Sequence, residues 1–347
     1  MITSWEDYLS PRGRSDAYRA CHRRCRAAFD HQRDCIQQIF DARRPKVVAC
    51  LGAGVLNDIP YRRFVEAGAT IHLVDWLPDA TDFGIAQSIV SDGPEGAHQC
   101  VYCRLADGDP RDYCCAYRQT GPSCSGLCDA FEASADQPAS CQAFRRGHLP
   151  HVHRQDVTGG YASAFGMGLA AELRGVGSWR QALRRATALA HRIKNRRSKL
   201  HIPDGSVDLV VSSMVISQFE HEPYEYFSRQ AAAVLGPPTL QSERRLRRSA
   251  DQLRAILVHN QVEQHCQEIE RILAPGGRCF VAFEMFHRAD GDAVWYLVDG
   301  MHRALDALAQ RFHFDIDGCP GPLADAGFKT NGGRSVVYHL LLAPKQP

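Results

Sequence analysis

Val47-Val48-Ala49-Cys50-Leu51-Gly52-Ala53-Gly54, followed some fifteen residues later by Thr70-Ile71-His72-Leu73-Val74-Asp75, decides the fold of this chain. The first stretch is an apolar run that ends on a glycine turn, which reads as a buried strand. Residues 59–69 carry helical spacing and stop at Gly68. The second stretch is again a strand. Strand, glycine turn, helix and strand in about thirty residues make a βαβ unit. Glycines at such a turn let a ligand approach the backbone and leave N–H groups free to meet it. Asp75 stands at the end of the second strand, where a carboxylate accepts hydrogen bonds from ribose hydroxyls. A nucleotide-like ligand would lie at the carboxyl ends of the strands, at the switch point of the sheet.

Further elements continue the alternation on either side. Residues 15–43 suit one or two helices, which Pro45 stops. A short strand is expected at 151–158, a buried strand at 206–216 and another at 278–286 after a Pro275-Gly276-Gly277 turn. Residues 163–199 and 223–273 read as helical, the latter broken at Gly236-Pro237-Pro238. An amphipathic helix is expected over 294–312, then a turn at 327–333 and a closing strand at 335–343. Strands alternating with helices predict an α/β fold with a doubly wound, mainly parallel sheet. The expected layout is an N-terminal helical segment, 1–44, and a Rossmann-like domain, 45–347. Three insertions interrupt that domain: a cysteine-rich loop module at 92–150 and helical lids at 163–200 and 223–260.

The chain of 347 residues has a formal net charge of +2 and 44% hydrophobic residues. That is ordinary globular composition, with no global pull toward nucleic acid or acidic membranes. No apolar run is long enough to span a bilayer, and the first residues lack an apolar signal region, so a cytoplasmic location is expected.

Two nucleotide readings compete at the glycine turn. A dinucleotide fold favours a third glycine, but Gly52-Ala53-Gly54-Val55-Leu56-Asn57 lacks it. The order of motifs instead resembles the class I S-adenosylmethionine-dependent methyltransferases, over roughly residues 45–343. Leu51-Gly52-Ala53-Gly54 looks like that family's first motif and Asp75 like its ribose-binding acid. Gln155-Asp156-Val157 looks like the segment where an acid reads the adenine amino group. Residues 204–213 are similar to the fourth strand, 273–278 to the turn before the fifth, and Ala326-Gly327-Phe328 with the closing apolar run to the last antiparallel pair. The resemblance implies S-adenosylmethionine as cofactor, held by Gly52, Ala53, Gly54, Asn57, Asp75, Trp76, Asp156, Val157 and Ser212.

Two departures stand out. The family usually carries an acid two residues before the first glycine, where this chain has Cys50; Asn57 and Asp58 are placed to compensate. Many small-molecule members carry paired histidines after the fourth strand, where this chain has Ser217-Gln218, with His221 slightly later. Tyr161, His221, Glu284 and His287, next to expected strand ends, are the candidates for a catalytic base.

Seven of the fourteen cysteines lie between Cys100 and Cys141. Cys100, Cys103, Cys114, Cys115, Cys124 and Cys128 include close pairs suited to a structural zinc or to an iron–sulfur cluster, with disulfides, a redox relay or free packed thiols as the alternatives. Nine Arg or Lys and no acid lie between Leu173 and Pro203, a run able to meet phosphates or a small anion. Only Trp179 offers a stacking ring there, which argues against single-stranded RNA. The long lids favour a small-molecule acceptor as partner over nucleic acid. The alternatives are an RNA or protein methyltransferase, or a non-catalytic sensor of cofactor and metal; the sequence leaves the oligomeric state open.

Overall fold

The structure is a computed structural model. It describes residues 4–8, 26–54, 56–76, 81, 150–219, 221–298, 301–320, 324–330 and 333–345. The elements in order are α1 (Trp5–Tyr8), α2 (Asp30–Arg43), β1 (Val47–Leu51), α3 (Tyr61–Glu66), β2 (Thr70–Asp75), β3 (His151–Arg154), α4 (Tyr161–Glu172) and α5 (Trp179–Arg192). They continue with β4 (Val207–Ser213), α6 (His221–Leu235), α7 (Leu240–Ile272), β5 (Leu273–Ala289), β6 (Tyr296–Leu297), α8 (Met301–Arg311), β7 (Phe312–Phe314), β8 (Ala324–Thr330) and β9 (Gly333–Pro344).

The sheet runs β3-β2-β1-β4-β5-β9-β7. The first five strands are parallel, and β9 is antiparallel to both β5 and β7. This mostly parallel sheet with helices is compatible with a Rossmann-like fold.

Side-chain parity explains why both faces are covered. Ala49 and Leu51 of β1, Val210 of β4, and Val281 and Phe283 of β5 enter one core. Their alternating neighbours Val48, Cys50, Leu209, Val211, Phe280 and Ala282 enter the other. A strand buried on both faces reads as a continuous apolar run, which is what the sequence showed. A third core lies among α1, α4, α5, α6 and the first half of α7, and holds Trp5, Phe165, Leu189, Phe227 and Leu257. The 33-residue α7 joins it to the sheet, because Val262, Cys266 and Ile269 lie in the first core.

Three local expectations change. Pro275-Gly276-Gly277 lies inside β5, where the register with β4 shifts between Val207 and Leu209. A Cβ on Gly277 would sit 2.9 Å from the Val207 carbonyl, so the backbones approach where only glycine fits. The expected helix over 294–312 starts at Met301, because Tyr296 and Leu297 pair with His287 and Phe286 instead. The expected turn at 327–333 contributes its first residues to β8, which pairs with β9. The break at 236–239 separates two helices as expected. Among the described residues no helix is long and apolar enough to cross a membrane. The cysteine-rich stretch, with Cys100, Cys103, Cys114, Cys115, Cys124, Cys128 and Cys141, lies outside the described residues.

Candidate functional site

The carboxyl ends of β1, β2, β3 and β4 meet at one cavity of about 320 Å³. Gly52, Ala53 and Gly54 follow β1, Asp75 and Trp76 end β2, Asp156 and Val157 follow β3, and Asn57 lies just past the turn. All eight were expected from the sequence. The ninth, Ser212, is fully buried, and its neighbour Ser213 lines the cavity instead. One residue along a strand reverses the side chain, so the parity of β4 decides which serine reaches the ligand space.

The glycine turn is held from below. The Gly52 and Ala53 amides donate to the Val74 carbonyl at 2.8 and 3.1 Å, and the Gly54 amide donates to Asp75 Oδ2 at 2.8 Å. The expectation of free N–H groups at these positions is therefore wrong: three consecutive amides are already satisfied inside the protein. Gly52 has φ +70°, and a Cβ there would lie 2.4 Å from Val215 Cγ2. Both the backbone conformation and the packing require glycine. Opposite, Met214 takes a left-handed φ of 58° without being glycine, between the lining residues Ser213 and Val215. Its amide, bonded to the Ala282 carbonyl at 2.7 Å, holds this conformation in place.

Asp156 has a task that the sequence did not announce. Its Oδ1 accepts from the Thr158 amide and hydroxyl, and its Oδ2 from the Ser163 amide and hydroxyl at 2.9 and 2.8 Å. A carboxylate has about four acceptor sites, so these bonds occupy it. Asp156 organises the entry into α4. Behind it, His265 Nδ1 lies 2.8 Å from the Val157 carbonyl and Nε2 lies 2.8 Å from Ser212 Oγ. A carbonyl only accepts, so Nδ1 carries the proton and Nε2 accepts from the serine hydroxyl. Burial pulls the His265 pKa down to about 4, which keeps the ring neutral.

Charge on the wall is one-sided. Among the described residues, Asp58, Asp75, Asp156 and Glu222 line the cavity, and no Lys or Arg does. Burial pushes Asp58 up to about 6, although the Ser213 hydroxyl and the Arg33 guanidinium hold the shift back. Among the described residues, the buried polar atoms Trp5 Nε1, Asn57 Oδ1 and Trp76 Nε1 of the wall have no hydrogen-bond partner. A buried orphan costs stability unless a ligand satisfies it. Cys50, at the position where an acid was missed, is fully buried, and burial raises its thiol far above the ordinary range.

Sequence reasoning missed Trp5, Phe29, Phe219, Glu222 and Gln261, which also line the cavity. They come from α1, the turn before α2, the segment after β4, α6 and α7, with no local motif to flag them. The candidate bases fall elsewhere, since none of the four lines the cavity. Tyr161 is fully buried, donates to the Ala190 carbonyl at 3.1 Å and accepts from Asn260. Glu284, His287 and His221 do come together. Burial raises the Glu284 pKa, while Ser335, His287 and His221 restrain it. His287 Nδ1 lies 3.1 Å from the Ser335 hydroxyl. Among the described residues no group of three or more His, Cys, Asp or Glu is arranged to hold a metal ion.

No family model and no curated protein matches the chain. Among solved structures, the PH0226 protein from Pyrococcus horikoshii OT3 is similar at a TM-score of 0.34 with 10% sequence identity, over 88% of this chain and 86% of that chain. So loose a likeness assigns no family.

Proposed function

We propose that the cavity binds S-adenosylmethionine and that the protein transfers a methyl group to a small-molecule acceptor. The observation that carries this reading is the charge of the wall: four carboxyl groups and, among the described residues, no cation. S-adenosylmethionine supplies an activated methyl group on a sulfonium, and it also carries an ammonium. A cation is stabilised by such a wall, whereas the pyrophosphate of a dinucleotide is repelled. The amides at Gly52–Gly54 argue the same way, because they are spent on Val74 and Asp75 and not offered to phosphate. The α3 helix does not take their place, because it begins only at Tyr61.

Within this reading Asp75 faces the ribose, Trp76 and Phe219 flank the aromatic part, and Asn57 and Asp58 hold the amino end in place of the acid replaced by Cys50. The antiparallel pairing of β8 with β9 agrees with the closing pair that the resemblance implies. A small acceptor is supported by the cover that α1, α4, α6 and α7 give the cavity. Methyl transfer from a sulfonium needs in-line positioning above all. Where the acceptor must lose a proton, Glu222 is the lining carboxylate outside the glycine turn and the α4 cap. The cysteine pairs of 100–141 are proposed, on spacing alone, to hold zinc or an iron–sulfur cluster; metal analysis of the purified protein tests it.

The direct test of transfer is a labelled methyl donor incubated with a small-molecule extract. Label should appear in an acceptor of low mass, and in none when Gly54→Val closes the cavity. Label in RNA or protein alone would overturn the small-molecule assignment.

A further inference from the structure

A second recess, of about 740 Å³, is bounded by α5, α6, α7 and the start of α8. Its charge is the reverse of the first cavity. Arg244, Arg247, Arg254 and Arg303 line it with His302, and Asp251 is the only acid among its described lining residues. The formal charge of that lining is +3 with His302 neutral.

The sequence builds this surface by helical spacing. Arg244, Arg247, Asp251, Arg254 and Val258 recur every three or four residues, so α7 presents them on one face. Arg254 lies 4.1 Å from the centre of the Tyr224 ring and 3.6 Å from Asp251, so it is fixed in place. Arg244, Arg247 and Arg303 are exposed, and among the described residues no ion pair engages them. Trp179 and Phe227 supply an aromatic floor, their rings meeting edge to face at 6.3 Å. Like charges gathered around a recess raise one another's energy unless an anion neutralises them. The volume suits a small molecule, since ligand pockets span about 300–1,000 Å³.

We propose that this groove binds a small phosphate ester of two to three negative charges, such as a nucleoside diphosphate. The guanidiniums match phosphate oxygens, and the aromatic floor receives a planar ring. The site adjoins the first cavity. Val258 in the groove and Gln261 in the cavity wall are one turn apart on α7, and Tyr224 and Glu222 are two residues apart on α6. A ligand anchored here is therefore placed to serve as the methyl acceptor. That last step rests on the cofactor reading, whereas anion binding does not.

The test is calorimetry of the full chain with inorganic pyrophosphate, ADP and uncharged adenosine, alongside S-adenosylmethionine. Pyrophosphate and ADP should bind at one site, adenosine should not, and ADP should quench fluorescence that Trp179→Phe removes. In the triple variant Arg244→Ala/Arg247→Ala/Arg303→Ala, affinity for ADP should fall about a hundredfold. The S-adenosylmethionine affinity and the unfolding midpoint of that variant should stay unchanged. Equal ADP binding in wild type and variant, no saturable binding of either phosphate probe, or binding of RNA alone would overturn the proposal. Failure of S-adenosylmethionine to bind wild-type protein would remove the cofactor reading and leave the groove result standing.

Discussion

Asp75 at the end of β2 accepts the Gly54 amide at 2.8 Å, so the residue expected to meet the ribose also ties down the turn after β1. One carboxylate thus shapes the loop with one oxygen and faces the cavity. Asp75→Ala should weaken S-adenosylmethionine binding about ten- to a hundredfold, the range for a lost hydrogen bond to a charged group. Asp75→Asn, which keeps an acceptor oxygen for Gly54, should recover part of it. Calorimetric affinities for the two variants check this; equal losses would separate Asp75 from the turn.

Asp58 gives the cavity a pH dependence. Its folded pKa is raised to about 6 from an ordinary 3.8. Between those values the folded state holds a proton that the unfolded state has lost, so stability falls as pH rises through the window. The loss is on the order of 3 kcal/mol, with ionisation completed above pH 6. A cationic ligand binds the ionised form better. Its affinity should therefore climb as pH rises from 5 to 7 in wild type and stay flat in Asp58→Asn. Parallel pH profiles of the two proteins would exclude Asp58 from the ligand contact.

His265 works in the opposite sense. Its folded pKa is lowered to about 4 from 6.5, so the unfolded state binds the proton first as pH falls. The contribution of the neutral ring is complete above pH 6.5 and is lost as pH falls toward 4. His265→Ala should also strand the Ser212 hydroxyl and the Val157 carbonyl, costing about 3 kcal/mol or more. Urea denaturation at pH 7 measures the loss, and a change under 1 kcal/mol would contradict it.

Trp5 lines the cavity where residue 166 leaves room for its indole. A Cβ on Gly166 would lie 2.1 Å from Trp5 Cδ2. Gly166→Ala should displace the indole and weaken cofactor binding, Trp5→Ala should do the same, and the double variant should be no worse than the worse single. Additive losses in a double-mutant cycle would show that the two residues act separately.

These relationships mark where the sequence could be read and where it could not. The βαβ stretch announced itself because apolar runs, glycines and Asp75 fall within thirty residues. Ser212 was chosen over Ser213 because strand phase depends on which face meets α7, a long-range fact. Asp156 looked available because its bonds from Ser163 form only once α4 turns back over it. Trp5 and Phe29 reach the cavity from the N-terminal segment, where no local pattern ties them to a turn some twenty-five or more residues away. The arginine groove was visible only in part, since its helix shows the spacing but its partners come from α5, α6 and α8.

The central claim is that this cavity holds a sulfonium-bearing nucleotide. Isothermal titration of the full chain with S-adenosylmethionine, S-adenosylhomocysteine and NADH tests it most directly. The account predicts one equivalent of S-adenosylmethionine bound, with binding lost in Gly54→Val and no binding of NADH. Saturable binding of NADH with none of S-adenosylmethionine would contradict it.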